Sequence, residues 1–174
     1  MAQLPIPIDI LRTRLRIEVE SDDTDLAALC IAAGELIERE TGTALRSQTF
    51  VERISGWKRT PLRRGPVTAV SQVTYTDTNG NSATLPVDEW FIVQDDALIV
   101  LDFDTSAVFK ENTQPVVTYT AGWTTVPHAL QQCIVALVGA WYTNPEASSV
   151  AALTEVPLSY KHIIQHYSHR SPLR

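Results

Sequence analysis

Histidines, clustered aspartates and two cysteines are the residues of this chain whose types could do chemistry. His162, His166 and His169 stand at i, i+4 and i+7, a spacing that lines three imidazoles along one helix face and could hold zinc. A zinc hydrolase helix needs a glutamate directly after the first histidine to serve as base, and Ile163 occupies that place. On a helical wheel the three histidines lie opposite Tyr160, Ile163, Ile164 and Tyr167, so they are predicted to face solvent or an interface. Asp102 and Asp104, close to Asp95 and Asp96 across a predicted hairpin, suggest calcium. Counted from Asp102, the sixth position is Ala107 where the loop needs glycine, and the twelfth is Thr113 where it needs a bidentate glutamate. Protection of a strand edge by charge fits these acids better. Asp22, Asp23 and Asp25 precede an apolar stripe, which makes Ser21 or Asp22 the predicted N-cap and Asp25 a capping-box partner rather than a cation ligand. Cys30 and Cys133 fall inside apolar helical stretches with no activating neighbour, so they read as small hydrophobes in a reducing compartment. No Gly-x-Ser-x-Gly elbow and no phosphate-cradling loop occurs among seven glycines. The prediction is no catalytic, cofactor-binding or metal site.

The elements that would position these residues are legible from periodicity. Helices are predicted over 8–19 and 22–41, the second with Leu26, Leu29, Cys30, Ala33 and Ile37 on its buried stripe and Gly42 as its stop. From 48 to 121 the chain is rich in Val, Thr, Ile, Tyr and Phe and is punctuated by "TNGN" at 78–81 and "QDDA" at 94–97, which reads as antiparallel hairpins. Val67, Ala69, Val73 and Tyr75 are predicted to share one buried face. Pro127 opens a nearly all-apolar helix that runs to Trp141, and Pro157 opens a last one. With 174 residues, 44% of them hydrophobic, the expectation is one α+β domain spanning 1–174. In it a small helical bundle formed by the N- and C-terminal helices, about 8–42 and 126–168, carries an inserted antiparallel β-sheet subdomain at about 47–121.

Charge is unevenly distributed along this sequence. The chain carries a formal net charge of -6, against coating of nucleic acid by the whole surface. Between Arg46 and Arg64, six basic residues (Arg46, Arg53, Lys58, Arg59, Arg63, Arg64) meet Glu52 alone, a local net of +5. Between Asp77 and Glu111, eight acids meet Lys110 alone, a local net of -7. Two opposite faces on one protomer suit head-to-tail contacts that close into rings. Arg59, Arg63 and Arg64 against Asp95, Asp96, Asp102 and Asp104 are the predicted interface residues. The alternative is a DNA-contacting module that uses the basic 46–64 segment. The longest apolar run, "CIVALVGAWY" at 133–142, is far short of a membrane span, and no leader is predicted at the N-terminus.

Taken in order, "SDDTDLAALCIAAGELIERETGTAL", "RRGPVTAVSQVTYTDTNG", "VVTYTAGW", "VPHALQQCIVALVGAWYTN" and "LTEVPLSYKHIIQHY" resemble the head-tail connector (adaptor) proteins of long-tailed bacteriophages and gene transfer agents. The likeness spans roughly residues 8–168 and rests on several short motifs in order. These are Thr41-Gly42 at a helix end, Arg64-Gly65-Pro66-Val67 opening a strand, Thr120-Ala121-Gly122-Trp123 closing one, Trp141-Tyr142, and Pro157-Leu158. It departs at Pro145-Glu146, where an arginine is common in that family. The resemblance implies a structural virion protein and no enzyme. It implies a homo-oligomeric ring, a dodecamer, in the virion neck, docked on the portal protein with a tail-side stopper or tail terminator on its other face. DNA would pass through the channel without being read, and the chain would be made in the host bacterial cytoplasm.

Overall fold

Leu26, Cys30, Ala33 and Ile37, three or four residues apart, form the buried stripe of a helix that runs Asp23–Thr41 and stops where Gly42 takes φ 71. This is α2; α1 is Ile8–Leu15, α3 His128–Thr143 and α4 Leu158–His166. The computed structural model describes residues 4–18, 22–57, 60–95, 98–103, 113–144 and 158–168. It has two compact units, one of Met1–Thr41 with Trp123–Ser168 and the other built on Gly42–Gly122.

In the first unit α1 is shorter than the predicted 8–19. Arg16 turns left-handed at φ 56, and the Ile17 amide donates back to the Arg12 carbonyl at 3.0 Å, a closed helix terminus that the apolar pattern does not encode. α3 follows Pro127 and buries Leu130, Cys133, Ile134, Leu137 and Val138. It packs on α2 and α4, and α1 packs on both α2 and α3. Polar side chains lock these contacts. Arg12 grips Asp23 with two nitrogens at 2.6 Å, Tyr142 donates to Asp22, and Tyr160 donates to Glu40 at 2.8 Å. Asp22, read as a candidate N-cap, and its neighbour Asp23 thus join helices; Ser21 lies outside the described residues.

Among the described residues the second unit has seven strands: β1 Gln48–Arg53, β2 Thr60–Pro61, β3 Val67–Thr76, β4 Ser82–Thr84, β5 Trp90–Asp95, β6 Leu98–Phe103 and β7 Val116–Ala121. They form two antiparallel sheets, ordered β1-β7-β3-β4 and β2-β6-β5. Ile54, Leu62, Val73, Leu85, Leu101, Val117 and Tyr119 make their shared core, with Trp57 edge-on to Tyr75 and Phe103. The β3–β4 hairpin turns on Asp77, whose carboxylate accepts the Asn79 and Asn81 amides at 2.9 and 2.8 Å while Gly80 takes φ 88. Those amides hold the Asp77 carboxyl below its ordinary pKa.

The predicted face of β3 needs correction. Val67 and Val73 are buried, but Ala69 is exposed, and Val70 joins the inner face in its place. The register against β7 shifts between Val67 and Ala69 and again between Val70 and Gln72. Each shift inserts a residue, so strict alternation fails twice. The inserted residues Thr68 and Ser71 turn their hydroxyls back to the Thr120 and Thr118 carbonyls, both at 3.2 Å.

Candidate interaction surface

The basic segment begins where the chain enters the sheet unit. The Gly65 carbonyl accepts the Ala44 amide at 2.8 Å, the Gly65 amide donates to the Gly42 carbonyl at 3.3 Å, and the Gly122 amide donates to the Pro66 carbonyl at 2.8 Å. Gly122 holds φ 117, and a Cβ there would lie 2.1 Å from the Arg46 carbonyl oxygen. Three short motifs far apart in sequence thus converge on one backbone knot at the first and last residues of the unit.

Beside that knot, Glu52 anchors the loop from 62 to 65. Its carboxylate accepts the Tyr119 hydroxyl at 2.9 Å and the Arg63 amide at 3.1 Å, and pairs with Arg63 Nε at 3.4 Å. The Arg64 amide in turn donates to the Tyr119 oxygen at 3.3 Å. Burial, and then the Glu52 charge, raise the Tyr119 phenol well above its ordinary value, so it stays a donor. The Glu52 side chain is 11% exposed and that of Arg63 83%, so the ion pair holds the arginine by one end only and contributes modestly.

The predicted interface residues can be placed as follows. Arg63 and Arg64 lie on that loop, Asp95 closes β5 opposite Leu98, and half-buried Asp102 accepts the Phe103 amide at 3.0 Å. Arg59, Asp96 and Asp104 lie outside the described residues. Sequence reasoning missed the Glu52–Tyr119 anchor; the one signal for it was a lone acid inside a basic run.

On β1 the outward residues are Thr49, Val51 and Arg53, all exposed, alternating with Phe50 and Glu52, which are half-buried. With Thr118 and Thr120 of β7, Gln72, Thr74 and Thr76 of β3, and Ser82 and Thr84 of β4, they form a sheet face rich in hydroxyls. Arg53 brings a charge to it, at the rim of a cavity of about 230 Å³ lined also by Thr74, Thr76, Ser82, Thr113 and Gln114.

His162 and His166 are exposed as predicted, and His169 lies outside the described residues. Among the described residues no group of three or more His, Cys, Asp or Glu side chains could hold a metal ion. Cys30 and Cys133 are buried free thiols, and burial pushes Cys133 up to about 11. No helix among the described residues is long and apolar enough to cross a membrane.

No protein-family model matches the chain, and no curated protein matches it. Solved structures do. A chain in the neck of an empty gene transfer agent particle, computed with C6 symmetry, is 22% identical at a TM-score of 0.78. A chain in the virion of the native gene transfer agent particle is 21% identical at 0.78, and one in the neck of the native particle, computed with C12 symmetry, 22% identical at 0.75. In each case the match covers 99% of this chain and 95% of the other. The fold is that of these chains across nearly its whole length.

Proposed function

We propose that this chain is a structural protein of a virion neck, a subunit of the connector ring that docks on the portal and joins the DNA-filled capsid to the tail, and that it is not an enzyme. The observation that carries this reading is the full-length fold likeness to chains of gene transfer agent necks, 99% of one chain on 95% of the other. Neighbours described with C6 and C12 symmetry support a ring, and twelve copies fit the larger symmetry. The portal on one side and a stopper or tail terminator on the tail side are the partners that the sequence resemblance implies. DNA crosses such a ring without being read, which suits a net charge of -6.

The contact between copies sets the basic 46–64 segment against the acidic 77–111 segment, with Arg59, Arg63 and Arg64 facing Asp95, Asp96, Asp102 and Asp104 as first candidates. The DNA-contacting alternative is less favoured, because the chain carries a formal net charge of -6. Purified chain mixed with its portal is expected to form rings of matching symmetry in electron micrographs. Removing the gene is expected to yield filled heads without tails. Normal tailed particles lacking the chain would overturn the proposal. Reversing Arg59, Arg63 and Arg64 to glutamate is expected to give the same headful, tailless phenotype, and normal joining would sink the charge mechanism alone.

A further inference from the structure

The six basic residues of the 46–64 segment are not equivalent. Glu52 takes Arg63, Arg46 is half-buried, and the Arg64 amide is fixed on Tyr119. Arg53 projects from the opposite face of β1 to Glu52, is exposed, and makes no ion pair with the described residues. Its cavity is lined also by Thr74, Thr76, Ser82, Thr113 and Gln114, with no carboxylate among the described lining residues, and the Thr74 hydroxyl donates to the Val116 carbonyl at 3.4 Å. A site rich in donors and headed by a guanidinium fork matches a planar carboxylate.

A second feature indicates where that carboxylate comes from. The large apolar side chains most exposed in the described residues are Val87 at 73% and Val51 at 70%. Val51 lies two residues from Arg53 on the same face of β1. Val87 lies next to exposed Asp88 in the 3-10 turn Val87–Glu89 that leads into β5. Each valine thus stands beside a charge of opposite sign to the other's, one on β1 and the other on the turn before β5. Patches that are complementary but not identical pair head to tail, and repetition by rotation closes a ring.

We propose that the Arg53 cavity receives the Asp88 carboxylate of a second copy, with Val51 and Val87 packing against each other beside the ion pair. The proposal rests on the ring reading above and locates its contact. A DNA phosphate is the poorer occupant, since an exposed valine beside the cavity gains nothing against a phosphate backbone and this chain repels DNA overall.

The test uses assembled particles. Arg53→Glu and Asp88→Arg are each expected to lower incorporation of the chain at least about tenfold, and the double variant to recover most of it, as charge pairs in an interface do when both are swapped. Both side chains are exposed, so the melting curves of the purified variants should match wild type; if a reversal unfolds the chain, Arg53→Gln and Asp88→Asn replace the reversals. Particles carrying Arg53→Lys, treated with a zero-length carbodiimide, should yield an amide between position 53 and Asp88 of another copy, absent when Asp88→Asn is added. Wild-type incorporation of Arg53→Glu, a double variant no better than either single one, or loss of DNA retention with normal incorporation would each overturn the proposal. Absence of the wild-type chain from particle necks would instead overturn the ring reading.

Discussion

The helical unit and the sheet unit treat their polar side chains differently. In the helical unit, Arg12, Tyr142 and Tyr160 are tied to Asp23, Asp22 and Glu40, so charge and hydroxyls go into holding helices together. In the sheet unit they divide in two. Tyr119, Glu52 and Arg63 form an inward anchor, while the threonines of the outer face and Arg53 point away from the core. A unit whose donors are matched internally has little left for a partner; a sheet with one face in the core can leave the other for recognition. That is why the proposed contacts between copies fall in the sheet unit and not in the helical unit.

The largest effect that could break this comparison is Gly122→Ala. A side chain at φ 117, driven into the Arg46 carbonyl, is expected to lower stability by more than about 3 kcal/mol in urea unfolding, or to prevent folding. An unchanged midpoint would mean that the backbone knot does not hold the sheet unit. Next comes a paired measurement. Tyr119→Phe strips a largely buried carboxylate of a donor and should cost about 1–3 kcal/mol, whereas Tyr160→Phe, whose partner Glu40 is exposed, should cost about 1 kcal/mol or less. Equal losses would erase the contrast between the units.

Alkaline titration tests what the two anchors share. Burial first, and then the neighbouring glutamate, raise both Tyr119 and Tyr160 above 10.0, so the folded chain keeps protons that the unfolded chain releases. This contribution is complete below pH 10.0 and declines as pH rises beyond it. Both phenylalanine variants should show a flatter decline in melting temperature above that pH, and a decline as steep as wild type in either would contradict the assignment. The smallest effect is expected for His162, His166 and His169 changed together to glutamine. With His162 and His166 exposed, stability should stay within about 0.5 kcal/mol, and added zinc should not raise the melting temperature.

Local periodicity and turn residues by themselves determined the four helices, the stop at Gly42, the turn at 78–81 and the α+β order. Each is set by a backbone repeat or by a turn within a few residues, and a single stretch of sequence carries that information. The two charged segments were legible for the same reason. Strand partnership was not: β1 pairs with β7, which begins more than sixty residues later, and a period of two gives a strand its faces without naming its neighbour. The two bulges moved Ala69 out and Val70 in because an inserted residue reverses the alternation after it. Tertiary structure also sorted the cations. Glu52 meets Tyr119 only once β1 lies on β7, and with that Arg63 becomes an anchored side chain while Arg53, one residue from Glu52, is turned to the other face of the sheet.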